Sequence, residues 1–136
     1  MMLENIYIRG LFGAVISLSA YLFGGADALL LALIAMMGID FVTGIIKAIA
    51  LKDLTSQKMF IGGARKIGMM LIVAVANLVD GILELNGVLR SVTIAYFIAN
   101  EGISMLENWA MLGLPIPGRL RDVLKQLQDK SSKPKE

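Results

Sequence analysis

Residues 28–51 read ALLLALIAMMGIDFVTGIIKAIAL, an apolar run whose only strongly polar members are Asp40, Thr43 and Lys47. As a helix this stretch rises about 36 Å, more than the roughly 30 Å hydrocarbon core of a bilayer. A run of this length and purity predicts a membrane-spanning helix, and the rest of the chain is read outward from it.

Toward the N-terminus, Gly24-Gly25-Ala26-Asp27 marks a tight turn, with Asp27 placed to cap the helix that follows. The segment before it is apolar from Gly10 to Gly24 and reaches spanning length only if it starts near Ile6. The N-terminus is a poor match to a cleaved signal peptide, so this segment is expected to be retained. Its small residues, among them Gly13 and Ser17, share one face and are expected to let helices pack closely, as are Gly38 and Gly44 on residues 28–51.

Toward the C-terminus, Lys52 to Lys66 reads as a polar connector containing Thr55-Ser56-Gln57 and Gly62-Gly63. A third apolar segment runs from Ile67 to about Leu85, and Asn86-Gly87 signals a turn. The fourth segment, Val88 to about Leu112, is the most polar of the set. Gly113-Leu114-Pro115-Ile116-Pro117-Gly118 must end it, because proline cannot continue the hydrogen-bond ladder. Beyond the break, Leu120, Val123, Leu124 and Leu127 recur at helical spacing among charged residues. They predict a short amphipathic helix at the membrane surface or packed on a neighbour. The expected architecture is all-α: one transmembrane domain over residues 1–128, with helices near 6–24, 28–51, 64–85, 88–112 and 118–128, then a disordered basic tail over 129–136. Four spans are expected; a three-span version lays segment one in the interface.

Composition agrees with lipid burial. The chain has 136 residues, 57% hydrophobic and only 18% charged, with a mean hydropathy of +0.72. Soluble domains run about 45–50% apolar and about 25% charged, and a chain this short lacks the interior volume to hide the excess. Cysteine and histidine are both absent. That removes thiolate chemistry, imidazole metal ligands and the commonest general base. No nucleophile has a plausible base, and Gly62-Gly63-Ala64-Arg65-Lys66 lacks the spacing of a phosphate loop. No catalytic, cofactor-binding or metal-ligating residues are expected, and an enzyme is not.

Lysines and arginines in short loops orient a membrane protein. Lys52, Lys58, Arg65 and Lys66 lie in the expected connector, and Arg119, Arg121 and Lys125 follow the fourth segment. Four crossings place both groups on one membrane surface, with both termini cytoplasmic. An anionic leaflet is a sufficient partner for them, worth about 1 kcal/mol per cation. Nucleic acid is not needed to explain them.

The polar groups within the apolar segments fall into stripes. Asp40, Thr43 and Lys47 share a face of the second segment, and Asn77, Asp80 and Glu84 share one on the third. On the fourth, Asn100, Ser104 and Glu107 are in line with Thr93 and Tyr96, with Glu101 and Asn108 beside them. A charge at a helix centre costs about 2.5–3.5 kcal/mol on insertion scales, so these stripes are expected to face a bundle interior or water. Asp40 and Lys47 fit a structural ion pair, or Lys47 snorkels to the headgroups. Asn77 and Asp80 serve equally as interhelical glue or pore lining. Asn100 with Glu101 is the favoured functional pair.

Three blocks of this sequence resemble the toxin-secretion and phage-lysis holin family. They are Gly38-Ile39-Asp40-Phe41-Val42-Thr43-Gly44 with Lys47-Ala48, the connector Leu54-Thr55-Ser56 with Gly62 to Gly68, and Ile98-Ala99-Asn100-Glu101-Gly102-Ile103-Ser104 followed by Gly113-Leu114-Pro115-Ile116-Pro117. The resemblance is collinear from about Leu30 to Leu127. It implies a cytoplasmic-membrane protein that forms homo-oligomers among membrane lipids and opens holes at a set time. Those holes release a lysis enzyme (endolysin) or a toxin, without direct contact being required. The family supplies no established pore residues, so the candidates rest on the stripes. The reading from another class is a small four-helix transporter or accessory membrane subunit, with Asp40 or Glu101 as its central carboxylate.

Overall fold

The computed structural model describes residues 2–132, with side chains from Glu4 onward. The described residues form five helices: α1 (Met2–Phe23), α2 (Ala28–Ala50), α3 (Ser56–Ile82), α4 (Val88–Met111) and α5 (Gly118–Ser132). No strand occurs among them. The all-α expectation holds. By length and composition three helices can cross a membrane, over Glu4–Phe23, Ala28–Ala50 and Ser56–Ile82. Of the four expected spans, the one outside that set is α4, which carries Arg90, Glu101 and Glu107; α1, the one the three-span alternative laid in the interface, is within it.

Local chemistry sets the helix starts. The Asp27 side chain accepts from Leu30 N–H at 3.0 Å and begins α2, as the Gly-Gly-Ala-Asp turn predicts. The Thr55 hydroxyl accepts from Lys58 N–H at 3.2 Å and begins α3. Helix α3 therefore starts at Ser56, eight residues before the expected start at 64, and most of the expected polar connector is its first turns. The polar composition and Gly62-Gly63 read as loop, but a competent cap and continuous backbone bonding override that propensity. Gly87 precedes α4 in the left-handed region (φ +81°) with no side chain of its own to cap the helix; Asp80 does so from α3 and is described below. Helix α5 extends to Ser132, four residues into the stretch expected to be disordered, with the Ser131 hydroxyl donating to the Leu127 carbonyl at 2.8 Å. Residues 133–136 of that expected tail lie outside the described residues.

Helices α2, α3 and α4 enclose a small apolar core of Leu30, Leu33, Met37, Val73, Ile94 and Phe97. Met69 and Met70 pack against it, with Phe23 from the last turn of α1. Side chains facing away from this core are large and apolar: Leu31, Ile34, Ile39, Val42 and Ile46 on α2, and Ile67, Leu71, Ile72 and Val75 on α3 are all exposed. A continuous apolar exterior of this kind suits lipid, not water. On α1 no residue from Glu4 to Tyr21 is even half-buried. Helix α5 folds back along α4, with Leu124, Leu127, Gln128 and Ser131 half-buried on the facing side. Of the two placements expected for this helix, the structure shows packing on a neighbour.

Candidate functional site

One charged residue from each of the three core helices meets the other two at one level. Asp40 lies ten residues before the end of α2, Lys66 ten after the start of α3, and Glu101 ten before the end of α4. At 1.5 Å per residue each is about 15 Å from the same end of the bundle. Lys66 donates to Asp40 at 2.6 Å and also to Glu101, so one ammonium bridges carboxylates from two other helices. Asn108 closes the group by donating to Asp40 at 3.2 Å and to the Thr43 hydroxyl at 3.3 Å. Thr43 itself donates to the Asp40 carbonyl at 2.9 Å.

Asp40, Thr43, Glu101 and Asn108 are buried, Glu101 only 1% exposed, and Lys66 is half-buried. No buried side-chain nitrogen or oxygen among the described residues lacks a hydrogen-bond partner. Complete pairing is what makes such a group tolerable, because the desolvation of two buried ions cancels much of their attraction. Two carboxylates share one cation here, so the arrangement holds three helices together through a single lysine.

A second polar group closes the opposite end of the bundle. Arg90, 6% exposed, donates through Nη1 and Nη2 to both oxygens of Asp27 at 2.6 and 3.0 Å, and through Nε to the Phe23 carbonyl at 2.6 Å. It also reaches the Gly25 carbonyl at 3.2 Å. Asn77 donates to the Tyr21 and Leu22 carbonyls at 2.9 and 3.1 Å. These bonds satisfy the otherwise open carbonyls at the C-terminal end of α1. Gly24 sits among them at φ +74°, where a Cβ would fall 2.4 Å from the Asn77 side-chain oxygen, so glycine alone fits. Asp80 accepts from Gly87 N–H at 2.7 Å and from Arg90 N–H at 2.8 Å, which supplies the missing cap of α4.

The Arg90 guanidinium, then the Leu30 N–H, hold the Asp27 carboxyl down from its ordinary 3.8 to about 2. A depressed carboxylate contributes stability that is present above its unfolded value and lost as pH falls toward the folded one. Attachment of α1 is therefore expected to be constant near neutrality and to loosen from about pH 4 down to about pH 2. Spin labels on α1 and α3 should report a distance distribution that broadens over that window; in Asp27→Asn it should be broad at every pH.

The stripes expected from sequence are partly assembled. Asp40, Thr43 and Glu101 come together, joined by Asn108 and by Lys66. Lys66 was expected at the membrane surface and instead lies inside the bundle, because α3 begins well before it. Of the two readings of Lys47, the ion pair with Asp40 gives way to Asp40–Lys66, and Lys47 makes no ion pair among the described residues. Lys47, Asn100 and Ser104 line a cleft beside the cluster. Asn77 and Asp80 stand at the far end, and Glu84 and Glu107 are exposed.

Of the small residues expected at packing faces, a Cβ added to Gly13 or Gly38 would meet nothing within 4 Å, and Ser17 is exposed. Gly44 lies beside Asn108. The close approach is at Gly102, where a Cβ would come within 2.9 Å of Leu124 and 3.1 Å of Met36. Lys52, Lys58, Arg65, Arg119, Arg121 and Lys125 are exposed, Lys58 paired with Asp53. Sequence reasoning missed Arg90, Gly102 and the role of Lys66. The only sequence signal for Arg90 is a lone cation close to the Asn86-Gly87 turn.

Comparison with known proteins places these features in context. A model of the bacteriophage holin family matches residues 17–129. A protein named "Probable holin" from Bacillus phage phi105 is 46% identical over 105 residues, covering 77% of each chain. An uncharacterized Bacillus subtilis (strain 168) protein, YqxH, is 41% identical over 115 residues, covering 85% of this chain and 81% of its own. An uncharacterized 14.9 kDa protein of the nagH 3' region of Clostridium perfringens is 40% identical over 132 residues, covering 94% and 99%. No solved structure matches.

Proposed function

This chain belongs to the bacteriophage holin family, and from that premise we propose that it inserts in the cytoplasmic membrane of a host bacterium, assembles with further copies, and opens holes that release an endolysin or toxin at a set time. Both termini lie in the cytoplasm in this reading, with the α2–α3 connector and the α4–α5 turn on the same side. Alternating helix direction supports that arrangement, since the Asp40–Lys66–Glu101 level is the same distance from both.

The observation that carries the proposal is the one-sidedness of the fold. Helices α1, α2 and α3 present apolar side chains outward. Helix α5 presents Arg119, Arg121, Asp122, Lys125 and Asp129, all exposed. Leu124 meets Gly102, nine residues before the end of α4, so this charged face runs back about 14 Å along α4. Such a face is costly against lipid and favourable against water or a second polar flank. Assembly that turns α4–α5 flanks toward one another hides them from lipid, and a ring of them encloses an aqueous passage. The Asp40–Lys66–Glu101 cluster keeps each bundle intact meanwhile.

Induced expression in a bacterium that holds a cytoplasmic muralytic enzyme should give an abrupt halt in growth followed by lysis. Growth that continues while the protein accumulates in the membrane would reject the proposal.

A further inference from the structure

Between α2, α3 and α4, from the connector down to the ionic cluster, lies a cleft of about 470 Å³, within the usual range of roughly 300–1,000 Å³ for ligand sites. We propose that it holds the headgroup and upper acyl chain of one anionic phospholipid taken from the surrounding leaflet. This assigns a ligand to the chain beyond its hole-forming role, and rests on that reading only for the presence of a bilayer.

Charge makes the first argument. Four cations, Lys47, Lys58, Arg65 and Lys66, line the cleft against three carboxylates, Asp40, Asp53 and Glu101. Lys58 is occupied by Asp53 at the mouth, and Lys66 by both floor carboxylates. Lys47 and Arg65 make no ion pair among the described residues, and they stand on different helices flanking one opening. The lining carries one net positive charge, which a single phosphodiester balances.

The walls make the second. Phe41 and Ile45 from α2, with Met69 from α3, give the cleft an apolar side, and Leu51, Leu54 and Met59 at its mouth are exposed. A soluble anion gains nothing from those surfaces, whereas a diacyl lipid covers them. Basic pockets between membrane helices near the headgroup level are the setting in which anionic lipids bind. Lys47, three residues before the end of α2, is at headgroup depth, and the acyl chain would run down past Phe41.

The test is native mass spectrometry of the full chain released from neutral detergent, titrated with dioleoyl phosphatidylglycerol, dioleoyl phosphatidylcholine or inorganic phosphate. One phosphatidylglycerol per chain should be retained at concentrations where phosphatidylcholine is lost. Lys47→Gln/Arg65→Gln should weaken that retention about tenfold or more, while Arg9→Gln/Lys130→Gln, at exposed residues outside the cleft, should leave it unchanged. Equal retention of the two lipids by the wild-type chain overturns the proposal, whatever the variants do. So does full retention of phosphatidylglycerol by Lys47→Gln/Arg65→Gln. Displacement of the lipid by millimolar phosphate would instead make this a free-anion site. Lipid retention is scored without any lysis assay, so its failure and the failure of the hole-forming reading are separate results.

Discussion

Lys66→Met is expected to destabilise the bundle by about 3–5 kcal/mol, the scale seen when one partner of a buried ion pair is removed. The loss is large because, among the described residues, Lys66 is the only cation bonded to either Asp40 or Glu101. Without it, two carboxylates from neighbouring helices are left facing one another with only the Asn108 amide for company. Thermal unfolding in detergent should show the drop directly, and membranes should hold less intact protein. Methionine keeps most of the side-chain volume, so lost packing is a small part of the effect. The companion variant Asp40→Asn/Lys66→Met/Glu101→Gln removes all three charges together and should recover much of the loss, since exchanging a whole buried ionic group for neutral residues is often close to neutral. A Lys66→Met chain as stable as wild type would show that the bridge does not hold the helices.

The second large effect is expected at the opposite end. Arg90→Leu removes the donor to the Phe23 and Gly25 carbonyls and the partner of Asp27 in one step. The expected cost is about 2–4 kcal/mol, at the lower end because Asp27 is half-exposed and solvent screens its share. The signature is regional: cleavage by a nonspecific protease should appear in the Gly24-Gly25-Ala26 turn before global unfolding, while the α2–α4 core stays protected. Unchanged cleavage would mean that the Asn77 bonds to Tyr21 and Leu22 fasten α1 without Arg90.

The helices and the polar stripes were legible from residue order because both follow from periodicity. Asp40 and Thr43 had to share a face, as did Asn100 and Ser104, whatever the fold. What periodicity lacks is the identity of the partner across a helix interface. Lys66 directly precedes the apolar run that begins at Ile67, and a lysine there reads as a headgroup contact. Only the capped start of α3 at Ser56 shows that it lies ten residues inside a helix, level with two carboxylates. The role of Arg90 is hidden for the same reason, since its partners lie more than sixty residues away in the chain. Gly102 was silent because its smallness matters only once α5 returns along α4, and the Pro115–Pro117 break announces a stop without giving the direction taken afterwards.

Helix α1 rises about 33 Å over its 22 residues, and polar bonds from Asn77 and Arg90 hold its last turn to α3 and α4. Its side chains from Glu4 to Tyr21 are exposed, and a helix that faces fatty acids along its length takes its tilt from them, upright in a thick bilayer and leaning over in a thin one. In the proposed assembly, the acyl-chain length of the membrane is then a physical variable in how copies would meet.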